Sequence, residues 1–247
     1  MSLKVEKVKV VYVTALALVS AILVCGCVQF QMNTSTGPEN ITRETRGVVP
    51  FTSIDFALPG TLYITQNNTQ SVAVEAKNSV VPNIRTEVTD GVLKIDATSL
   101  IPPITTPLTI YVSVTDINGI TNRGAGTVLS SSQLNAGALN LTLQGAGSID
   151  IAVNVTQLTT QVSGVGTVLL RGNATTHAAT LTGVGSLRSY ELQTDTTTVS
   201  ITGLGSAEVT ALNALTVNIS GTGSVNYHGS PQVTVQRTGL GIVQKTG

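Results

Sequence analysis

The sequence predicts an all-β protein that folds as a parallel β-helix, a solenoid with coils of about 18 to 21 residues. Composition is the first reason: 11% of residues are charged, 24 are Gly, and the abundant Thr and Val favour strands over helices. The second is a regular alternation of apolar and polar residues, which is typical of half-buried strands. The third is a glycine motif that recurs through the second half of the chain.

The glycine motif is Gly-x-Gly, and its seven copies are separated by 21, 19, 19, 20, 18 and 18 residues. Six of the seven copies are followed by a hydroxyl residue, and in all seven the next position is apolar. A short strand on each side of a glycine turn buries its apolar side only when successive coils stack. The turn glycines are expected to permit a positive φ and to leave room for closely stacked backbone. The copies are Gly124/Gly126, Gly145/Gly147, Gly164/Gly166, Gly183/Gly185, Gly203/Gly205, Gly221/Gly223 and Gly239/Gly241.

The strands before the repeats are predicted from alternating segments that turn signals such as Pro59-Gly60 separate. We expect residues 47–120 to form N-terminal strands that cap the stack, and residues 121–247 to form the repeats. Asn122 and Arg237 occupy the predicted inward column at the first and last motif. Because polar residues protect exposed sheet edges, we interpret these two as markers of the two ends of the stack.

The N-terminus has the pattern of a secretion signal, with three Lys residues, an apolar run and then Cys25-Gly26-Cys27. The end of this pattern resembles a lipobox, in which Cys27 would be lipidated and become the mature N-terminus. The alternative is an uncleaved signal anchor, because Val8–Val28 is just long enough to span a bilayer. Residues 1–27 are therefore a signal peptide or anchor, and the polar residues 28–46 predict a disordered tether. Both alternatives predict an extracytoplasmic domain anchored in the membrane at the cell surface.

Composition argues against several classes of function. The net charge is zero and no Lys/Arg cluster follows Lys9, so no nucleic acid is predicted as a partner. After Cys27 the chain has no Cys and only two His, and recurrent Asp is absent, so we predict no metal and no cofactor. A strand, not a helix, follows each Gly-x-Gly, unlike a dinucleotide-binding turn. His177 aligns with Leu158 and Leu215, which predicts a repeat position filled by a polar residue.

An enzyme that cleaves polysaccharides on this fold would need a close pair of carboxylates. From the first motif onward the carboxylates are Asp150, Glu191, Asp195 and Glu208. Asp150 and Glu208 occupy the same position of the repeat but lie three coils apart, roughly 14 Å by the spacing of stacked strands. We therefore predict no catalytic residues and no enzymatic activity.

The repeats, with Ser or Thr and then an aliphatic residue after each Gly-x-Gly, and the preceding segment FTSIDFALPGTLYITQ closely resemble one known family. This is the putative auto-transporter adhesin family, which carries the head GIN domain. The resemblance covers Gly47–Gly247 and implies a right-handed parallel β-helix in a secreted or lipid-anchored surface protein. The typical repeat of the family is Gly-Ser-Gly-Asp, whereas a hydroxyl residue stands here in place of the Asp.

These observations lead us to expect a noncatalytic adhesin or envelope-interaction module with a long, uncharged, hydroxyl-rich face. Surface glycans or envelope components are the expected partners. Tyr190 and Tyr227 are candidate ligand contacts because exposed aromatic rings stack on sugars, and Arg188 is a third candidate for the same ligand face. Arg188 is also expected to form a surface ion pair with Glu208 in the next coil. A carbohydrate-active enzyme and a structural envelope spacer without a ligand are the alternatives.

Asn-x-Ser/Thr sequons are frequent, and they predict that the protein is a glycoprotein if the host modifies its surface proteins. Several of the sequons fall in predicted outward strand positions or loops. The seven sequons lie at Asn33, Asn40, Asn67, Asn140, Asn154, Asn173 and Asn218.

Overall fold

The computed structural model describes residues 40–99 and 107–247, so the predictions for the signal segment, Cys27 and Asn33 lie outside the described residues. Within the described part, 17 strands join in one sheet and no helix is long and apolar enough to cross a membrane. A short 3₁₀ helix spans Val81–Asn83. The strands are β1 (Ile41–Arg46), β2 (Ser53–Phe56), β3 (Thr61–Gln66), β4 (Ser71–Lys77), β5 (Ile84–Thr89), β6 (Val92–Ala97), β7 (Thr109–Val114), β8 (Gly119–Asn122), β9 (Thr127–Ser130), β10 (Leu134–Leu143), β11 (Ser148–Val162), β12 (Val165–Leu181), β13 (Val184–Ile201), β14 (Leu204–Ile219), β15 (Thr222–His228), β16 (Gln232–Arg237) and β17 (Leu240–Lys245).

The long strands β11 to β14 each follow almost a whole coil, and neighbouring coils pair in parallel and in register. The C-terminal halves of these strands, together with β6, β2, β8, β10 and β16, form what we call face A. Their N-terminal halves, together with β7, β3, β9, β15 and β17, form face B. The predicted parallel β-solenoid is therefore confirmed.

The core is a set of aliphatic columns that run from coil to coil. The column two residues after the glycine motif is completely buried from Val128 to Val225, as the alternation predicted. Stacking gives each buried side chain aliphatic neighbours above and below, and burial of this kind stabilises by about 1.5 to 3 kcal/mol per large aliphatic residue. Members of this column are Val128, Ile149, Val168, Leu187, Ala207 and Val225.

The N-terminal strands cover their end of the stack, as predicted, and they also add coils to it in an order that differs from the chain order. Strand β2 pairs in parallel with both β6 and β8, and β3 pairs in parallel with both β7 and β9. The coil β2–β3 thus lies between the coils β6–β7 and β8–β9. Antiparallel strands close this end: β5 pairs with β6 on face A, and on face B β4 pairs with β7 and β1 pairs with β4.

Two expectations need correction at this end. The predicted tether, residues 28–46, includes Ile41–Arg46, which form β1 and pair antiparallel with β4. No strand was predicted there because β1 is a charged edge strand whose residues are nearly all exposed. Asn122 does not mark an end, since its coil lies between β2 and β10. Its buried amide donates to the carbonyls of Gly126 at 2.8 Å and Ser148 at 3.2 Å.

The glycine corner repeats the same geometry along the stack because successive backbones approach closely there. A Cβ on Gly164, for example, would overlap the carbonyl oxygens of Gly145 and Gln144 in the preceding coil. The N–H of Val165 donates to the Gly145 carbonyl at 3.0 Å, and equivalent bonds recur in later coils. Among the motif glycines only Gly166 has a positive φ, at 158°, which is close to extended backbone. Close approach, and not the expected positive φ, therefore requires glycine at this corner.

The first glycine of each motif lies at a bend of the chain, in agreement with its assignment as a turn glycine. The second glycine does not always follow that prediction. In the first motif Gly126 still belongs to the bend, whereas Gly147 directly precedes β11. The bend glycines are Gly124, Gly145, Gly164, Gly183, Gly203, Gly221 and Gly239.

From the third motif onward the second glycine lies inside the strand that follows, so its assignment to a turn is wrong. Pairing between coils already resumes at the residue between the two glycines, such as Val165 with Val184, and the second glycines are then register partners of one another. They still need to be small, because a Cβ on Gly223 would overlap the Gly205 carbonyl oxygen. These strand glycines are Gly166, Gly185, Gly205, Gly223 and Gly241.

Candidate functional site

Face B carries most of the charged side chains of the repeats. One outward column contains Asp150, Leu169, Arg188 and Glu208 in successive coils, so the two carboxylates are three coils apart, as predicted. Asp150 forms an ion pair with Arg171 at 2.6 Å. Arg188 and Glu208 are register partners, but within the described residues no ion pair of 4.0 Å or less joins them, so that prediction is wrong.

A small cleft on face B brings several of these groups together. Its volume is about 140 Å³, which is below the roughly 300 to 1,000 Å³ of typical small-molecule sites. Glu191 and Glu208 both line it, a proximity that the repeat alignment did not show. The complete lining of this charged cleft is Leu169, Leu170, Arg171, Arg188, Tyr190, Glu191 and Glu208.

The two predicted tyrosine contacts have different environments. Tyr190 stacks on His228, with ring centroids 3.9 Å apart and ring planes 7° from parallel. Its hydroxyl forms a hydrogen bond of 3.0 Å with Thr246 Oγ1, so one ring face and the hydroxyl are already engaged. Tyr227 is the register partner of buried Val209 and packs against the core. Tyr227 therefore lies in an inward column and does not share a ligand face with Tyr190.

A second aromatic cluster on face B was not predicted from the sequence. Tyr63 and Tyr111 are register partners on β3 and β7, and their rings stack with centroids 5.6 Å apart. The guanidinium of Arg43 lies 4.0 Å from the centre of the Tyr111 ring. Tyr111 follows Tyr63 by 48 positions, and only the three-dimensional pairing of β3 with β7 brings the two rings together, so the sequence did not show this contact.

His177 is a core residue, as its alignment with leucines predicted, and it is 2% exposed. Its Nε2 lies 3.0 Å from the hydroxyl of buried Thr160, while its Nδ1 has no hydrogen-bond partner among the described residues. Burial lowers the pKa of His177 from 6.5 to about 4. In the described part of the chain, no group of three or more His, Cys, Asp or Glu residues could hold a metal ion.

Face A is very different from face B over the repeats. From β10 to β16 three outward columns cross six coils of face A, and no residue in these columns is charged or aromatic. Two exposed charged residues lie next to the columns: Asp195, directly before Thr196, and Arg237, at the end of β16. We call these columns the uncharged face. They are Ala138, Gln157, Thr176, Thr196, Ala214 and Gln232; Asn140, Thr159, Ala178, Thr198, Thr216 and Thr234; and Thr142, Gln161, Thr180, Ser200, Asn218 and Gln236.

Comparison with known families identifies the chain. The family model described as "putative auto-transporter adhesin, head GIN domain" matches residues 50–231. The chain belongs to this family. The resemblance noted in the repeats is thus confirmed, and the head GIN domain of this chain comprises both the out-of-order N-terminal coils and nearly all of the repeats.

Several solved structures resemble this head GIN domain. A putative adhesin from Bacteroides fragilis is 25% identical with a TM-score of 0.81, covering 84% of this chain and 98% of that one. A putative adhesin from Parabacteroides distasonis is 19% identical with a TM-score of 0.71, covering 85% and 98%. A putative lipid binding protein from the same species is 16% identical with a TM-score of 0.67 and the same coverage. The latter two show the fold alone, and no curated protein matches the chain.

The sequons of this chain lie at accessible positions wherever the structure describes them. Asn40, Asn67, Asn140, Asn154 and Asn173 are exposed, and Asn218 is half-buried. Asn154 and Asn173 are register partners, and the amide of Asn154 also donates to Asn135 Oδ1 at 3.2 Å. A glycan on Asn154 would compete with this side-chain ladder. Glycosylation stays a prediction at all seven positions.

Proposed function

We propose that this chain is an exported protein, held at the cell surface through Cys27, whose solenoid has a noncatalytic, adhesin-like role. Membership of the adhesin family over residues 50–231 supports the role. The secretion-signal pattern and the lipobox-like residues before Cys27 support export and anchoring. Surface glycans or envelope components are the proposed partners.

The uncharged face is the observation that carries the proposal. It repeats the same kinds of hydroxyl and amide groups in six successive coils, without a charged or large apolar interruption. By contrast, the charged cleft is small, and the ring of Tyr190 beside it is already stacked on His228. An extended surface that repeats along one axis suits contact with another extended surface better than it suits chemistry on a small substrate.

Anchoring is tested by comparing host cells that express the wild-type chain with cells that express Cys27→Ala. We expect protease treatment of intact cells to remove the wild-type domain, and lipid labelling to depend on Cys27. A Cys27→Ala chain that stays in the membrane without label would show a signal anchor instead. A wild-type domain that protease cannot reach would disprove surface exposure.

Adhesion is tested by attachment of the same cells to isolated host envelopes and to surfaces coated with polysaccharides. We expect cells with the protein to attach in larger numbers than cells from which the gene is deleted. Equal attachment would contradict the adhesin-like role and favour a structural spacer. Release of sugars during incubation, abolished by Glu191→Gln or Glu208→Gln, would instead favour an enzyme at the charged cleft.

A further inference from the structure

The uncharged surface extends beyond face A and around the glycine corner. The residue before each motif is exposed and uncharged from the second copy onward, as Ser163, Thr182 and Thr202 illustrate. On the far side of the corner a column of Ser and Thr follows, and its hydroxyls bond to one another, for example Ser186 to Ser206 at 2.9 Å. The first charged column, that of Asp150 and Arg188, comes two residues later.

A row of exposed aliphatic side chains stands along this corner. Val165, Val184 and Leu204 occupy the middle position of three successive motifs, and they are register partners. They are 58%, 53% and 57% exposed, respectively. Glycines on both sides leave these side chains standing above the surface, and columns of hydroxyl residues flank them. We call these three residues the aliphatic ridge.

We propose that the uncharged face and the aliphatic ridge together bind a neutral polysaccharide that lies along the axis of the stack. The inference rests on the proposed adhesin-like function and names its ligand. Hydroxyl and amide groups donate and accept hydrogen bonds with sugar hydroxyls, and aliphatic side chains cover the C–H faces of sugar rings. Sugars thus need both kinds of group side by side, which the structure provides at the border between face A and the corner.

Free hydrogen-bonding capacity supports this assignment. Thr159, Thr180 and Thr234 are exposed, and their side chains form no hydrogen bond with another described residue. Their hydroxyls therefore contact water in the free protein and can exchange it for a ligand at little cost. The aromatic rings of face B have less free surface for a sugar, because His228 covers one face of Tyr190 and Arg43 covers one face of Tyr111.

The size of the uncharged face argues against a second copy of the chain as its occupant. Six strands span five intervals of about 4.8 Å, or roughly 24 Å, and three columns span roughly 13 Å along the strands. The resulting area of about 310 Å² is far below the roughly 800 Å² per partner of a standard stable interface. A polymer overcomes this limit, because many weak contacts repeat along its length and across neighbouring molecules of the anchored protein.

The absence of charge at this surface selects the class of polysaccharide. An acidic polymer would gain no ion pair on the uncharged face and would lose water from its carboxylates or sulfates. A neutral polymer has no such cost. Binding should therefore be insensitive to salt, since screening acts on charged contacts.

The experiment uses the full chain, purified in detergent, and measures its retention on insoluble neutral polysaccharides, namely cellulose, chitin, mannan and starch. Polygalacturonate is the acidic comparison. Thr159→Lys and Thr180→Lys each place one charge within the uncharged face, away from the Asp195 carboxylate. Asn226→Lys places the same charge in an outward column of face B and is the matched control. Val184→Ser with Leu204→Ser removes most of the aliphatic ridge.

We expect the wild type to bind at least one neutral polysaccharide with the same affinity at low and high salt. Each Lys substitution on face A should weaken binding roughly tenfold or more, because a covered ammonium loses water without gaining a counter-charge. The ridge variant should also weaken binding, whereas Asn226→Lys should leave it unchanged. All of these sites are exposed or half-buried, and unchanged thermal unfolding will show that the variants remain folded.

Four results would overturn the inference. They are failure to bind any neutral polysaccharide, stronger binding to polygalacturonate, loss of binding by Asn226→Lys or Tyr190→Ala but not by the face A variants, and binding to phosphatidylcholine vesicles in place of polysaccharide. In each case the cell-attachment assay is independent. Cells that still attach would leave the adhesin-like function standing with a different ligand or a different face.

Discussion

The N-terminal coils and the later repeats use the same parallel strand pairing, but they connect residues at very different separations. Ser53 pairs with Val92 on one side and with Gly119 on the other, at distances of 39 and 66 residues along the chain. In the repeats, Val165 pairs with Val184 only 19 residues later. The repeats therefore depend on nearest neighbours, whereas the coil β2–β3 holds together two segments that follow it in sequence. One solenoid can thus combine coils that pair with neighbours close in sequence and coils that pair with segments far away in sequence.

The largest effect is expected for Phe56→Ala, in the coil that joins the two N-terminal segments. Phe56 is completely buried, and large-to-small changes of this kind cost about 3 to 5 kcal/mol of unfolding free energy. Urea unfolding will measure the loss. Amide exchange should show reduced protection in both β6 and β8, the two neighbours of β2.

Leu215→Ala is the matched change in the repeats, where Leu215 is also completely buried. We expect a loss of about 3 kcal/mol, with reduced protection confined to β13, β14 and β16. If Phe56→Ala affected a single neighbour, or if Leu215→Ala reduced protection as far as β6, the contrast between the two regions would fail.

The buried His177 makes the free energy of unfolding of the repeats sensitive to acid. Among the described residues, the N-terminal coils contain no histidine and so have no equivalent group. The folded pKa of His177, about 4, lies below the ordinary value of 6.5, so below pH 6.5 the unfolded chain binds a proton that the folded chain excludes. The free energy of unfolding therefore has its full value above pH 6.5 and decreases as the pH falls to 4, by about 3 kcal/mol in total. Urea unfolding between pH 7.5 and 4 will measure it.

His177→Leu is the control for this prediction, because Leu158 occupies the same position in the preceding coil. The variant should lose the part of the pH dependence that the wild type shows between pH 6.5 and 4. Parallel profiles for the two proteins would mean that His177 takes up its proton while folded, which the buried environment argues against.

A smaller loss is expected for Gly203→Ala at the glycine corner. The added Cβ would overlap the carbonyl oxygens of Gly183 and Thr182, and forced shifts of this kind cost about 2 kcal/mol. Thermal or urea unfolding will measure it. Gly137→Ala is the matched control, since a Cβ at Gly137 meets no atom within 4 Å. Equal stability of the two variants would disprove the role of close backbone approach.

The smallest effect concerns the ion pair that links the two regions across the first motif. Arg123 Nε donates to Asp55 Oδ1 at 2.7 Å, and Arg123 Nη2 lies 2.6 Å from Asp55 Oδ2. A partly exposed pair of this type contributes at most about 1 kcal/mol. A double-mutant cycle with Arg123→Gln and Asp55→Asn should give a coupling energy of this size that decreases in salt. A coupling energy of zero at low salt would show that the pair does not stabilise the junction.

The fold of the repeats could be predicted because the sequence itself repeats at a regular spacing. The spacing of the glycine pairs predicted the coil length, and the parity of the following residues predicted the buried column from Ile149 to Val225. The same parity places Tyr227 in an inward position, two residues after buried Val225. The choice of Tyr227 as a ligand contact did not take this parity into account. His177 was correctly assigned to a repeat position because its neighbours in the alignment are leucines.

The exact end of each turn was harder to predict than the period, because glycine usually interrupts a strand. Gly185 and Gly205 were therefore assigned to turns, although they are register partners within β13 and β14. Only the stacked coil explains why a strand would keep a glycine at this position. The space for a Cβ is taken by the preceding coil, for example by the Val162 side chain at Gly185.

The non-local part could not be predicted, because no period connects its strands. Nothing in the segment around Ser53 indicates that it pairs with both β6 and β8. For the same reason the Tyr63 and Tyr111 stack was missed, and Asn122 was interpreted as an end marker although further coils lie beyond it. Strand β1 was missed because charged edge strands resemble tethers in sequence. The sequence shows an aliphatic residue between the glycines of three successive motifs, but only the structure shows that these side chains are exposed in one row.

The position of β2 between β6 and β8 also determines when this protein can begin to fold as it is synthesised. Strand β2 gains its second neighbour only when Gly119 has been made, 66 residues after Ser53, which takes about 3 to 13 s at typical rates of translation. Each later coil waits for about 19 residues, such as from Val165 to Val184, or roughly 1 to 4 s. The chain thus passes through a slow first stage with open strand edges and then grows coil by coil, so any factor that protects the nascent chain is needed most before residue 119.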